Sequence, residues 1–163
     1  MLKHIAALTI AAGLFTAPAL AQNAGHIAKA KAGKSCANCN LFQADLAYRD
    51  GSNMNLSGSR LRQSNLSLTT FDNANLSGAN LSVANLFGAR FNRANMTNTN
   101  LSQVSAVGTY FGSSNMSGAN LSGANLSGAD LSLALGLSQS QLNRACGDRS
   151  TRLPAGKTIQ RCR

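Results

Sequence analysis

Four cysteines and His26 are the residues of this chain whose types and spacing could support chemistry. Cys36 and Cys39 form a Cys-x-x-Cys motif, whereas Cys146 and Cys162 lie near the other end. Such a motif can belong to a redox centre, a zinc site or a structural disulfide. Redox thiolates usually lie at helix N-termini, zinc needs two further ligands, and haem attachment needs a histidine where this chain has Asn40. We therefore predict disulfides without redox or metal chemistry, and three pairings of the four cysteines are open.

Carboxylate chemistry has no better support, because the chain holds five Asp residues and no Glu. General acid–base catalysis needs paired carboxylates or a positioned histidine. Asp45, Asp50 and Asp130 occupy one slot of a repeating pattern, where Asn and Asp serve turn hydrogen bonds. His26 lies in a low-complexity segment that we expect to be solvated and mobile. We therefore predict no catalytic residue, no cofactor and no small-molecule substrate, in a protein that is not an enzyme.

The element that must position these residues is a five-residue repeat. Counting in fives from Leu41 to Leu131, 17 of 19 central positions are Leu, Phe or Met. A small residue stands two places before the centre in 17 of the 19 units, and Asn or Asp stands one place before it in 14. This period fits neither an amphipathic helix nor an alternating strand. It indicates a solenoid, in which stacked turns bury apolar residues that one unit cannot bury alone.

Units such as Ala79-Asn80-Leu81-Ser82-Val83 and Ala129-Asp130-Leu131-Ser132-Leu133 resemble the A-(D/N)-L-x-x repeat of the pentapeptide-repeat proteins. The resemblance covers residues 39–133. It implies an all-β fold, a right-handed quadrilateral β-helix with four units per coil and about five coils. The 20-residue spacing of Phe71, Phe91 and Phe111 agrees with such a coil and predicts a Phe column.

Two places depart from the repeat in the predicted core. Gly51 leaves a central slot empty while Met54 enlarges the next small slot, and Ala106 and Val104 make a similar exchange. Because each exchange moves volume between neighbouring inward slots, we interpret both as preserved packing rather than as binding sites. Arg49, at another inward slot, predicts that the first coil opens to solvent.

Both ends of the chain carry further signals. Residues 1–21 have an apolar stretch followed by Pro-Ala-Leu-Ala, which predicts a signal peptide cleaved after Ala21 and a periplasmic or secreted protein. Residues 22–38 are predicted to be a flexible basic leader that contains the Cys-x-x-Cys motif. No later segment reaches membrane-spanning length, so we expect a soluble mature chain.

The C-terminal cap is predicted to span residues 134–163. Ser138 and Gln141 form a capping box, which predicts a short helix that runs to about Cys146 and stops at a left-handed Gly147. The solenoid would hold the two cysteine pairs at opposite ends. We therefore favour Cys36–Cys39 and Cys146–Cys162 disulfides.

The charge of the predicted mature chain separates the candidate functions. Without Lys3 it carries 14 Lys and Arg against five Asp, a formal charge of +9. The resemblance implies acidic DNA mimicry against topoisomerases, which a cationic exported rod does not suit. We expect a structural or protein-interaction module with an unknown partner, which could be a second copy bound through a face or an end. The alternative is a binder of anionic envelope polymer or nucleic acid. Its candidate contacts are Arg60, Arg62, Arg90, Arg93, Arg144, Arg149 and Arg152.

Overall fold

The computed structural model describes residues 22–163, so the predicted signal peptide lies outside the described residues. The regular elements are two helices, α1 (Ala24–Lys31) and α2 (Gln139–Leu142), and two short strands, β1 (Cys146–Gly147) and β2 (Gln160–Arg161). Between the helices the chain forms a long series of isolated β-bridges. No helix within residues 22–163 is long and apolar enough to cross a membrane.

The β-bridges stack the chain in coils of 20 residues. Every bridge from Asn40↔Arg60 to Tyr110↔Asp130 joins residues 20 apart in parallel register. Along one such column, the Leu61 N–H donates to the Asn80 carbonyl at 2.7 Å, and the Asn80 N–H donates to the Ser59 carbonyl at 2.9 Å. Four five-residue units therefore make one coil, and the predicted solenoid is confirmed.

The inward slots form one continuous core. The central Leu, Phe and Met side chains and the small residues two places before them are buried from one coil to the next. Phe71, Phe91 and Phe111 stack with ring centroids 5.5 Å apart and planes within 19° and 10° of parallel. The predicted Phe column is confirmed.

Each corner of the coil is a turn whose chemistry is repeated. Every fifth residue from Asn38 to Gly128, in the second turn position of its unit, has a positive φ, and seven of these 19 residues are Gly. Each of the 14 Asn or Asp residues before a centre accepts a hydrogen bond on its Oδ1 from the N–H two residues later. These side chains mimic a backbone turn partner and fix each corner. The structural role predicted for Asp45, Asp50 and Asp130 is confirmed.

The exchanges of core volume are also present. Gly51 is buried, and a Cβ at this position would collide with the Phe71 ring and lie 3.3 Å from the Met54 sulfur. Ring and thioether therefore fill the slot that Gly51 leaves. Val104 and Ala106 are both buried, and Arg49 is exposed, as expected.

The leader departs from the prediction, because residues 24–31 form a helix instead of an irregular segment. Asn23 caps α1 by accepting a hydrogen bond from the His26 N–H at 2.9 Å. The His26 imidazole in turn accepts, on Nδ1, the Asn40 N–H at 3.0 Å. The prediction of a mobile His26 is therefore wrong, since this contact ties the helix to the first coil. The repeat also begins earlier than expected, because Cys36 occupies a buried central slot and its N–H donates to the Asn55 carbonyl at 2.7 Å.

The C-terminal segment contains the predicted capping box, with Ser138 at the N-cap and Gln141 at the third helical position. However, α2 ends at Leu142 and not near Cys146. The chain extends at this point because the Cys146 N–H donates to the Ala124 carbonyl at 2.9 Å, and β1 then pairs in parallel with β2. The left-handed stop predicted at Gly147 is wrong, since this residue belongs to β1 and lacks a positive φ.

Candidate interaction face

One face of the solenoid differs from the other three in its outward side chains. Successive bridges place six residues in one column on this face: Asp50, Thr70, Arg90, Tyr110, Asp130 and Arg152. In each of the other columns the outward slot is mostly Asn. We call this column, with the turn residues that follow it, the Arg90–Tyr110 face.

Three consecutive coils of the Arg90–Tyr110 face lack the Asn or Asp that fixes a corner elsewhere. The slot holds Thr70, Arg90 and Tyr110. At the middle coil the missing turn bond is replaced, because Asp72 accepts the Asn92 N–H on Oδ1 at 3.2 Å. At this coil the corner bond is therefore made without Arg90, whose side chain is left for other contacts.

The side chains at the centre of the face hold each other in place. Arg90 Nη2 lies 3.0 Å from Asp72 Oδ2, and Arg90 Cζ lies 6.0 Å from the Tyr110 ring centroid, within the range of a cation–π contact. The Tyr110 side chain folds across Gly112, where any Cβ would collide with it. Arg90, Asn92 and Tyr110 line a shallow groove of about 410 Å³. The arrangement offers an aromatic ring, a cation and an amide to a partner.

An exposed apolar edge borders this face at the corner that precedes it. Tyr48, Leu68 and Phe87 keep 77%, 45% and 51% of their surface exposed. Leu68 lies across Gly88 of the next coil, so its position depends on the absence of a side chain there. Large apolar side chains grouped beside polar ones are typical of interaction surfaces.

The seven arginines proposed as anion contacts do not form one patch. Arg90 is paired with Asp72, and Arg152 Nη1 lies 3.7 Å from Asp130 Oδ2. Arg93 donates through Nε to Asn73 Oδ1 at 3.0 Å. The remaining four lie in two separate places. Arg60 and Arg62 are about half a coil away from the Arg90–Tyr110 face, and Arg144 and Arg149 are in the C-terminal segment. The register thus places Arg90, Arg93 and Arg152 on the Arg90–Tyr110 face, where each has an intrachain partner, and separates the other four from it.

The four cysteines are paired as expected, in Cys36–Cys39 and Cys146–Cys162 disulfides with Cα–Cα distances of 5.4 and 4.8 Å. No cysteine of the described chain is free. Within residues 22–163 no group of three or more His, Cys, Asp or Glu side chains could hold a metal ion. The first disulfide therefore closes the opening unit of the repeat, and the second links β1 to the end of the C-terminal segment.

Turn hydrogen bonds lower the pKa of three carboxyl groups, those of Asp50, Asp130 and Asp148. The Ser150 hydroxyl, followed by the Gly128 N–H, lowers the pKa of Asp148 to about 2. Hydrogen bonds from Ser52 lower the pKa of Asp50, and the Ser132 hydroxyl lowers that of Asp130. A carboxylate stabilised in this way is a poor proton donor, so these groups serve the turns.

A chain of 20-residue coils with inward slots every five residues is a β-solenoid that presents flat outer faces. The family model for pentapeptide repeats matches it in eight copies, over residues 64–103 and 94–132. Together with the unbroken five-residue phase, this match shows that the chain belongs to the pentapeptide-repeat proteins. No curated protein sequence matches the chain.

Several solved pentapeptide-repeat structures are similar to this chain. HetL of the cyanobacterium Nostoc sp. strain PCC 7120, which is involved in the regulation of heterocyst differentiation, is 24% identical with a TM-score of 0.42. The match covers 80% of this chain and 63%, less than two thirds, of HetL. Rfr23 of the cyanobacterium Cyanothece 51142 is 24% identical over 79% of this chain and 97% of its own, with a TM-score of 0.39. QnrB1, a plasmid-mediated fluoroquinolone resistance protein, is 19% identical over 76% and 78%, with a TM-score of 0.32.

Proposed function

We propose that this chain is an exported, non-catalytic solenoid that binds a protein partner through the Arg90–Tyr110 face. The observation that carries the proposal is the loss of the corner-fixing Asn in three consecutive coils of this face alone. In its place stand Arg90 and Tyr110, beside exposed Phe87. Tyr, Arg and Phe are enriched where proteins bind one another.

Export is proposed from two independent features. The predicted signal peptide of residues 1–21 gives the route, and two disulfides are typical of an oxidising compartment such as the periplasm or the extracellular space. We propose that the mature chain starts at Gln22. Its segments are a leader of residues 22–38, a right-handed solenoid of about five coils over residues 39–133 and a cap of residues 134–163.

Binding of an anionic envelope polymer has weaker support. Two of the seven arginines face carboxylates, at 3.0 and 3.7 Å. Arg93 on the same face is bonded to Asn73, and the remaining four lie on another face or in the C-terminal segment, so the charges do not reinforce one another at one site. The net charge therefore serves solubility in this account.

The test is affinity capture of interacting proteins from an extract of the exported compartment. A face variant combines Arg90→Ser with Tyr110→Ser, and a matched control carries Arg60→Ser. Arg60 occupies the same slot of the repeat and lies one and a half coils from Arg90, on another face. We expect the face variant to lose the proteins that the wild type and the control retain. If the face variant captures the same proteins as the wild type, the proposal is wrong.

A further inference from the structure

The charges along the Arg90–Tyr110 face follow an order that complements itself when the rod is reversed. After Asp50 at its N-terminal end, and apart from Arg93 in the turn after Arg90, the face presents in order Asp72, Arg90, Tyr110, Asp130 and Arg152. The signs are therefore negative, positive, neutral, negative and positive. When a second copy of this series is laid alongside in the reverse direction, each charge lies opposite a charge of the other sign, and Tyr110 lies opposite Tyr110.

This order distinguishes two ways of packing one rod on another. In a parallel pair each residue faces its own copy, so that Arg90 would face an arginine and Asp130 an aspartate, and repulsion between like charges disfavours this pair. In an antiparallel pair with its two-fold axis at Tyr110, Arg90 faces Asp130 of the second copy. We propose that the Arg90–Tyr110 face binds a second copy of this chain in antiparallel orientation. The inference rests on the proposed function, since it names the partner of the same face.

The guanidinium groups are free to make these contacts, and the Asp72 and Asp130 side chains keep 20% and 26% of their surface exposed to receive them. The Arg90 and Arg152 side chains keep 56% and 73% of their surface exposed despite their intrachain pairs. A guanidinium has five N–H donors, and a carboxylate accepts at both oxygens. Each arginine can therefore keep its own Asp and also reach one across the interface.

The apolar edge supports the same orientation. A two-fold axis perpendicular to the rod keeps each corner of the face on the same side, so Phe87, one coil before the axis, lies opposite the Ser127 turn of the second copy, one coil after the axis. Phe87 is 51% exposed, and Val107, at the level of Tyr110, is half-buried. Val107 would meet Val107 of the second copy beside the stacked tyrosines. Burial of these side chains supplies the apolar contribution that charge pairs alone lack.

Association through the ends of the rod has less room. At the N-terminal end, Ala30 of α1 is buried and Ile27 packs against the core. At the C-terminal end the chain folds back, so that Asn125 pairs with Cys146 and Asp130 with Arg152. Because both ends are covered in this way, we place self-association on a side of the rod, and the charge order selects the Arg90–Tyr110 face.

Sedimentation of the purified, oxidised mature protein tests the inference. The variants are Arg90→Asp, Asp130→Arg, both changes in one chain, and Arg60→Asp as the matched control. We expect the wild type to form a dimer. Each single charge reversal should raise the dissociation constant about tenfold or more, because the two-fold symmetry places like charges against each other at two sites of the interface. The double variant should restore the dimer, and the control should leave it unchanged. Thermal melting shows whether each variant is folded.

A wild type that stays monomeric at every concentration overturns the inference. A double variant that is folded yet no more dimeric than the single variants also overturns the inference. Exchanging the two charges must restore the contact between position 90 of one copy and position 130 of the other. The proposed function fails separately, if the face variant captures the same proteins as the wild type. A monomer whose face still captures another protein would overturn the dimer and leave the proposed function standing.

Discussion

The substitution Gly51→Ala tests whether the core is packed as the coil register requires. Gly51 has no positive φ, so its backbone suits alanine, but the added Cβ would collide with the Phe71 ring of the next coil. The ring cannot swing away, because it stacks on Phe91 at 5.5 Å. Overpacking of this kind typically costs about 1–3 kcal/mol. We expect the free energy of unfolding to fall by about 2 kcal/mol, which urea titration measures.

A double-mutant cycle separates this collision from a general defect. Phe71→Leu removes the ring and alone should cost about 1 kcal/mol in lost apolar area and stacking. In the presence of Phe71→Leu, however, Gly51→Ala should become nearly neutral, because Leu is the usual central residue of the repeat. The expected coupling is about 1–2 kcal/mol. Gly78→Ala provides a control for backbone strain, since φ is +65° and no atom lies within 4 Å of the added Cβ. Additive effects of Gly51→Ala and Phe71→Leu would refute the packing argument.

Four further predictions concern the turns, the cap and the charge. Gly78→Val should lower the free energy of unfolding by about 1–2 kcal/mol in urea titration, because a branched side chain must adopt the left-handed region. Asp148 has a folded pKa of about 2, below the ordinary 3.8, so its contribution to stability is present above about pH 4 and is lost as the pH falls towards 2. Asp148→Asn should therefore flatten this part of the stability profile, measured by thermal melting from pH 2 to pH 5. Replacing both Cys146 and Cys162 by Ser should cost about 3 kcal/mol in urea titration, because their disulfide closes a loop of 16 residues. Retention of the protein on heparin should vanish at physiological ionic strength, whether or not residues 147–163 are present. Retention that survives this ionic strength and requires residues 147–163 would favour the anionic-polymer alternative.

The scaffold could be predicted from the sequence because its chemistry is periodic. The inward slots repeat every five residues without a change of phase, so the Phe column at 71, 91 and 111 followed from counting. The corner bonds of Asp45, Asp50 and Asp130 followed in the same way, since Asn and Asp share one turn role. A local rule repeated in every coil leaves little for tertiary context to change.

The ends could be predicted less well, because no repeat governs them. Helix α1 follows Asn23, a favourable N-cap, and contains several good helix formers, yet it lacks a broad apolar stripe. Its contact with the first coil includes the His26 bond to the Asn40 N–H, which no spacing indicates. Helix α2 ends early because pairing of Cys146 with Asn125 extends the chain.

The interaction face had a signal in the sequence that grouping by charge concealed. Thr70, Arg90 and Tyr110 break the Asn rule at a spacing of 20, so they lie in adjacent coils of one face. Asp72 lies 18 residues before Arg90, which places both within reach only once the coil length is known. Departures from a repeat therefore locate a site better than the residue types alone.

Photo-crosslinking inside exporting cells tests the central claim of a binding face most directly. A photoreactive phenylalanine replaces Phe87 at the edge of the Arg90–Tyr110 face, or Thr97, ten residues on and half a coil away. We predict adducts with protein, including a dimer of this chain, from position 87 and almost none from position 97. Equal adduct yields from both positions, or none from position 87, would contradict the assignment of this face.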